Sequence, residues 1–277
     1  MTLRISNLAV VSLVSVLLIS LVGALPALAG SDAEIEECLA TGRITEGDEV
    51  LIGLTKPLKV EIDCDGQKQK AVFKYLNMNK QGLYSLADGS REFNFTDRYH
   101  YERAAYLLDR ELGLNMVPVA VMRTYRGRDG VLVAWVSNAV NGKRISSGLS
   151  GATVASLERQ KSIMRMFDSL IYNVDRRPEN FLFNESTGKL YMIDHSQSFR
   201  VKPEVQRAFA EGRIWMSEDL YTRLQGLEKQ RLEELTKGLI NRGQVKSLLK
   251  RRDLILEKIE ADREKYGDGS VFLGTAP

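Results

Sequence analysis

Asp175 and Asn180 stand five residues apart in the order D-x-x-x-x-N, and a short hairpin separates them from Asp194. Phosphoryl transfer from a nucleotide needs these parts in this order: a carboxylate beside the acceptor hydroxyl, an amide oxygen on a metal ion, and a second carboxylate on the metal–phosphate cluster. The pattern assigns Asp175 to the acceptor hydroxyl, and Asn180 and Asp194 to Mg or Mn, ions that prefer such hard oxygen ligands. Each residue alone is an ordinary turn former or strand-end cap. Their spacing, with a helix before and a hairpin after, turns three common residues into a site.

A nucleotide site also needs positive charge on the phosphates. Lys74 ends Ala71-Val72-Phe73-Lys74, which is similar to the V-A-I-K strand of kinases. Glu102, on the next helix, is the acid expected to hold it. Lys74 alone reads as an outward lysine on an alternating strand, and Glu102 alone as a solvated helix acid; the pair gains weight from its order in the chain. Arg176 and Arg177 follow Asp175, and one of them is expected to lock the loop through a carboxylate, since arginine suits bidentate contacts. The turn Gly53-Leu54-Thr55-Lys56 is a weak candidate for covering phosphates with backbone N–H groups.

The elements that must position these residues are legible in outline. Residues 34–76 read as short strands and turns, with Asp65-Gly66 a hairpin turn. Residues 77–96 are polar and read as a loop. Residues 97–112 read as a helix with Tyr101, Ala104, Ala105, Leu108 and Leu112 on one face and Gly113 as its stop. Residues 117–122 and 131–136 form a strand pair, and 142–151, rich in Gly and Ser, a connector. Residues 153–172 make a helix with a broad apolar face, the mark of a central helix. Hairpin strands at 180–184 and 190–193 surround Ser186-Thr187-Gly188, and 203–265 is helical. No internal repeat is present. A β layer followed by a helical region places a cleft between them, the usual position of a ligand.

The chain has 277 residues, 44% hydrophobic and 27% charged, with a formal charge of +3. It can build a sizeable core, and its charge is too small to argue for a nucleic-acid partner. Arg4 is the only charge before Asp32, residues 5–29 are apolar or small, and Ala27-Leu28-Ala29 is an A-x-A site. Residues 1–29 are therefore expected to be a signal peptide, with an uncleaved membrane anchor as the alternative. Either way the rest is exported, to a periplasm or outside the cell. In that oxidising setting Cys38 and Cys64 are expected to pair, against two unrelated buried thiols. Two cysteines with His100 and His195 do not make a zinc set. No P-loop, G-x-G-x-x-G, G-x-S-x-G or H-E-x-x-H motif occurs, which leaves Rossmann, serine hydrolase and zincin readings unsupported.

Residues 167–177, F-D-S-L-I-Y-N-V-D-R-R, resemble the D-x-L-I-x-N-x-D-R-H catalytic loop of atypical kinases, a superfamily that spans HipA-type kinases, phosphatidylinositol 3- and 4-kinases and secretory kinases of the Golgi casein kinase type. Ile193-Asp194-His195-Ser196 with Phe199 resembles their metal motif. Tyr101 to Arg110, then Leu112-Gly113-Leu114-Asn115 and Val117-Pro118, is similar to an E-x-A-A-x-x-L-D-R-x-L-G-x-N-x-V-P segment of the secreted members, where the Glu belongs to the nucleotide site. The sequence departs from the pattern at Arg177, where His is usual, and at Ser196, where Gly is usual; Asn180 fits the lipid-kinase pattern better than the Golgi one. The resemblance covers roughly residues 45–260. It implies an α+β, two-lobed protein-kinase-like fold: a small mixed β lobe with one helix at 30–145, and a mainly helical C-terminal lobe at 146–270. It implies ATP or another nucleoside triphosphate with Mg or Mn, and transfer to a protein or small hydroxylated acceptor. The alternatives are a pseudokinase or partner-binding module without transfer, and a lipid-directed kinase. Membrane association is expected only if the N-terminal segment stays uncleaved.

Overall fold

The computed structural model describes residues 31–49, 57–85, 89 and 91–272. Residues 1–29, expected to be a signal peptide, the strand read at 50–53 and the turn Gly53 to Lys56 lie outside the described residues.

The described chain starts with a helix, α1 (Asp32–Thr41), where strands and turns were expected. The Ser31-x-x-Glu34 capping box specifies it: the Ser31 hydroxyl accepts from the Glu34 N–H, and the Glu34 carboxylate accepts from the Ser31 N–H. The strands β1 (Arg43–Glu49), β2 (Leu58–Cys64) and β3 (Gln67–Lys74) follow. Asp65 and Gly66, both at positive φ, close the β2–β3 hairpin as the sequence implied.

Residues 77–96 are not a plain loop. They carry β4 (Asn77–Asn79), β5 (Leu83–Ser85) and β6 (Arg91–Phe93), and β7 (Thr96–Arg98) follows; β4 pairs with β7 and β5 with β6. Three-residue strands are too short to show a period of two, so they leave no sequence signal. The next helix begins later than the sequence suggested. It is α2 (His100–Glu111), and Asp97 belongs to β7 instead. Its apolar residues Tyr101, Ala104, Ala105 and Leu108 are buried as their spacing implied, and Gly113, at φ +68, turns the chain away.

β8 (Ala120–Tyr125) and β9 (Arg128–Ala134) complete a five-stranded sheet in the order β1-β2-β3-β9-β8, antiparallel at every pairing. Its inner face buries Val60, Ile62, Ala71, Phe73 and Leu132. The short β10 (Val140–Asn141) leaves this sheet and pairs instead with β11 (Phe181–Asn184), which pairs with β12 (Lys189–Met192).

The long helix α3 (Gly151–Ile171) precedes that hairpin. It is capped by the Ser150 hydroxyl and stopped by Tyr172 at φ 53. It buries Leu157, Met164, Met166, Phe167, Leu170 and Ile171, each worth roughly 1.5–3 kcal/mol when fully removed from water. Residues 203–265, read as helical, divide into α4 (Arg207–Ala210), α5 (Glu218–Gln225), α6 (Lys229–Leu235) and α7 (Arg242–Tyr266), with irregular chain between them. Among the described residues, no helix is long and apolar enough to cross a membrane.

Cys38 and Cys64 form a disulfide that ties α1 to the end of β2. The junction is tight: a Cβ at Gly42 would lie 2.6 Å from the Cys38 carbonyl oxygen and 2.7 Å from the Cys64 sulfur. The bond closes a span of 26 residues, and loop-closure entropy then assigns it about 3 kcal/mol of stability. Replacing both cysteines with serine is expected to lower the unfolding free energy by about that amount. Denaturant unfolding, compared with the parent in dithiothreitol, measures it; a parent insensitive to reduction would refute the assignment.

Candidate active site

Lys74 ends β3, and its pleat direction alone would not decide which face it serves. The structure turns its ammonium inward. Lys74 Nζ donates to Glu102 on the first turn of α2 and, at 2.8 Å, to Asp194 Oδ1. Three charged groups from distant parts of the chain thus meet at one point, and Glu102 is only 2% exposed. Burial pushes the Lys74 ammonium down, but Asp194 and Glu102 more than offset this and hold it well above the usual lysine range. Burial pushes Glu102 up; Lys74 and His195 overcome it and hold the carboxyl below the usual range.

His195 is fully buried behind this cluster, and its backbone N–H donates to Glu102 Oε1 at 3.1 Å. Arg176 Nη2, which can only donate, lies 3.1 Å from His195 Nε2. That contact assigns the ring proton to Nδ1, which lies 3.4 Å from Glu102 Oε2.

Asp175 and Asn180 sit in the loop between α3 and β11. Asn180 Nδ2 donates to the Asp175 carbonyl at 2.6 Å and to Asp175 Oδ2 at 3.0 Å. Both amide hydrogens are thereby engaged, and Oδ1 is left for a ligand. Arg177 also contacts the Asp175 carboxylate, with two nitrogens at 3.0 Å. Burial, with Asp194 nearby, pushes the Asp175 carboxyl above its ordinary value against the pull of Arg177 and Asn180.

Of the two arginines, Arg176 is the lock. Its guanidinium donates to Asp168 Oδ2 at 2.8 Å and Oδ1 at 3.0 Å, and to the carbonyls of Asn180 and Ile193, the latter at 2.8 Å. One side chain therefore binds the last turns of α3, the Asp175–Asn180 loop and the residue preceding Asp194. Asn173 completes the knot, donating to Asp168 Oδ1 at 3.0 Å and accepting from the Asp175 N–H at 3.1 Å. Asp168 and Asn173 had no assigned role in the sequence reading. Their signal was a carboxylate embedded in an apolar helix, which needs a buried partner.

All five residues singled out from the sequence thus lie in one region: Lys74, Glu102 and Asp194 in direct contact, Asp175 and Asn180 bonded to each other, and Arg176 joining the two groups. Asp194 adopts φ +62, an uncommon backbone conformation for aspartate that is typical of constrained functional positions. Asp97 and Ser196 also belong to the region and were missed. Asp97 is 4% exposed and lies beside the Ser196 side chain. Burial, reinforced by Asp194, pushes its carboxyl up to about 6.

A raised carboxyl pKa weakens the fold once the group must ionise. The penalty is absent below about pH 3.8, the ordinary value, grows as pH rises toward 6, and is complete above it. Two units correspond to about 2–3 kcal/mol. Asp97→Asn is therefore expected to stabilise the metal-free protein by about that amount at pH 8 and by almost nothing at pH 4. Unfolding curves at the two pH values measure it; a gain independent of pH would refute the assigned shift.

No protein-family model matches the chain, and no curated protein matches it. Solved structures do match in three dimensions. Hydra Fam20 with sugar aligns over 86% of this chain and 91% of its own, at 15% identity and a TM-score of 0.60. The Golgi casein kinase aligns over 87% of this chain and 77% of its own, at 13% identity and a TM-score of 0.61. The same kinase with Mn/ADP bound aligns over 87% and 78%, at 14% identity and a TM-score of 0.61. At these identities the likeness concerns the fold, and the α+β chain described here has a kinase-like one.

Proposed function

We propose that the chain is an exported atypical kinase that transfers a nucleotide phosphoryl group to the hydroxyl of a protein or small-molecule acceptor. One observation carries the reading: Lys74 joins Glu102 and Asp194 in a buried charge cluster, and Arg176 ties Ile193, the neighbour of Asp194, to the Asp175–Asn180 loop. The kinase-like fold and the neighbour with Mn/ADP bound support it. Residues 30–145 and 146–270 serve as the two lobes in this reading, with β10 crossing to the second. The disulfide supports export, because such bonds persist in oxidising compartments.

The donor set suits a divalent cation. Asp194 is partly exposed, Asn180 Oδ1 is uncommitted, and among the described residues no cluster of three or more His, Cys, Asp or Glu offers a closed protein cage. Mg²⁺ and Mn²⁺ in nucleotide sites take one or two protein oxygens and complete their shell with phosphates and water. When bound, the ion neutralises the charge that develops on the phosphates. Lys74 adds a fixed positive charge beside it, Glu102 keeps that ammonium in place, and Asp175 accepts the acceptor's hydroxyl proton. The raised pKa of Asp175 improves it as a base, since catalysis favours a base poised nearer the working pH.

The test is metal-dependent nucleotide binding and hydrolysis by the mature chain, with Asp194→Ala as control. Binding that requires Asp194 supports the proposal. No binding in either form removes it, and binding without transfer to any acceptor assigns the chain to pseudokinases instead.

A further inference from the structure

Behind Asp194 lies a serine hydroxyl that the reaction above does not use. The Ser196 hydroxyl, beside the Asp97 carboxylate on β7, donates to Asp194 Oδ1 at 3.2 Å. The neighbouring backbone grips the same residue, since the Arg98 N–H donates to the Ser196 carbonyl at 2.9 Å. β7 is itself held at both ends: it pairs with β4, and the Tyr99 N–H donates to the Leu76 carbonyl at 2.9 Å. Gln197 Nε2 donates to Asp97 Oδ2 at 3.5 Å. The β7 segment therefore holds Ser196 through the backbone, and Ser196 in turn donates to Asp194.

The consequence falls on one oxygen of Asp194. Lys74 and Ser196 both donate to Oδ1, so Oδ2 carries the capacity left for a cation. Asp194 occupies an uncommon backbone conformation and is the most exposed member of the charge cluster, so its side-chain direction depends on these two donors. Ser196 stands where a glycine would have supplied no hydroxyl at all.

We infer that Ser196 is a positioning residue: β7 holds it through the backbone, and its hydroxyl fixes Asp194 so that Oδ2 faces an incoming divalent cation. The inference rests on the proposed kinase reading for the cation and on the hydrogen bonds above for the geometry. Outer partners that orient a metal ligand are commonly worth 10- to 100-fold in metal affinity.

Mn²⁺ binding, followed by electron paramagnetic resonance or calorimetry with and without ADP, tests it. Ser196→Ala is expected to weaken Mn²⁺ about 10- to 100-fold. A metal-free crystal structure of Ser196→Ala supplies a second readout, in which the Asp194 carboxylate is expected to leave its present direction. Ser196→Ala binding Mn²⁺ as the parent does overturns the inference while the kinase reading stands. A parent that binds no Mn²⁺ sinks the kinase reading, and an unmoved Asp194 in the metal-free variant then overturns this one as well.

Discussion

Asp194→Ala is expected to abolish metal-dependent nucleotide binding, while Asp175→Ala is expected to keep binding within about threefold and to lose transfer by about 10²- to 10⁴-fold, the range ascribed to a positioned acid or base. The contrast follows from where the two carboxylates sit. Asp194 contacts Lys74 and is the partly exposed carboxylate of that cluster, so its loss removes the proposed ion ligand and one of the two anchors of the Lys74 ammonium. Glu102 still pairs with Lys74, so the variant folds. Asp175 contacts only its own loop, through Asn180 and Arg177, and its removal leaves the Lys74 cluster intact. Calorimetry with Mn·ADP and a phosphate-release assay separate the two effects. Equal losses of binding in both variants would refute the division of roles.

Arg176→Met is expected to cost about 3–5 kcal/mol, the largest stability effect in the catalytic region. The reason is the partner left behind: the Asp168 side chain is 3% exposed, and removing one member of a buried pair strands the other charge out of water. Asn173 still donates one hydrogen bond to it, which replaces only a part of the bidentate contact. The carbonyls of Asn180 and Ile193 lose a donor at the same time. Adding Asp168→Asn to Arg176→Met is expected to recover a substantial part of the loss, because the stranded charge is gone; non-additivity of this kind marks coupled residues. Urea unfolding of the two single variants and the double variant measures it. Purely additive losses would show that Asp168 and Arg176 do not act as a unit.

These two results bear on how site and fold depend on each other. The Arg176 knot spans α3, the loop after it and the strand end before Asp194, so the same contacts that stabilise this region tie the Asp175–Asn180 loop to the Asp194 strand end. A positioned site of this kind needs rigid support more than mobile chain. Asp97 illustrates the opposite balance: its burial beside Ser196 weakens the fold as pH rises from about 3.8 toward 6.

Much was legible in the sequence where the signal was local. The period of Tyr101, Ala104, Ala105 and Leu108 located α2, Asp65-Gly66 located a hairpin, and the order Lys74, Glu102, Asp175, Asn180, Asp194 picked out residues that the fold brings into one region. What the sequence left open were features without a local signature. It offered Arg176 and Arg177 as equals; the choice between them came from Asp168, which faces Arg176 because α3 buries that side. Asp97 looked like the first residue of a helix and is instead part of a three-residue strand whose pairing partner lies at 77–79. Lys74 meets Glu102 and Asp194 across 28 and 120 residues. Chain order and periodicity are written residue by residue, so the sequence alone determined which groups are present and which elements carry them. Which oxygen faces which nitrogen depends on desolvation and on pairing between distant segments, and those exist only once the layers have packed.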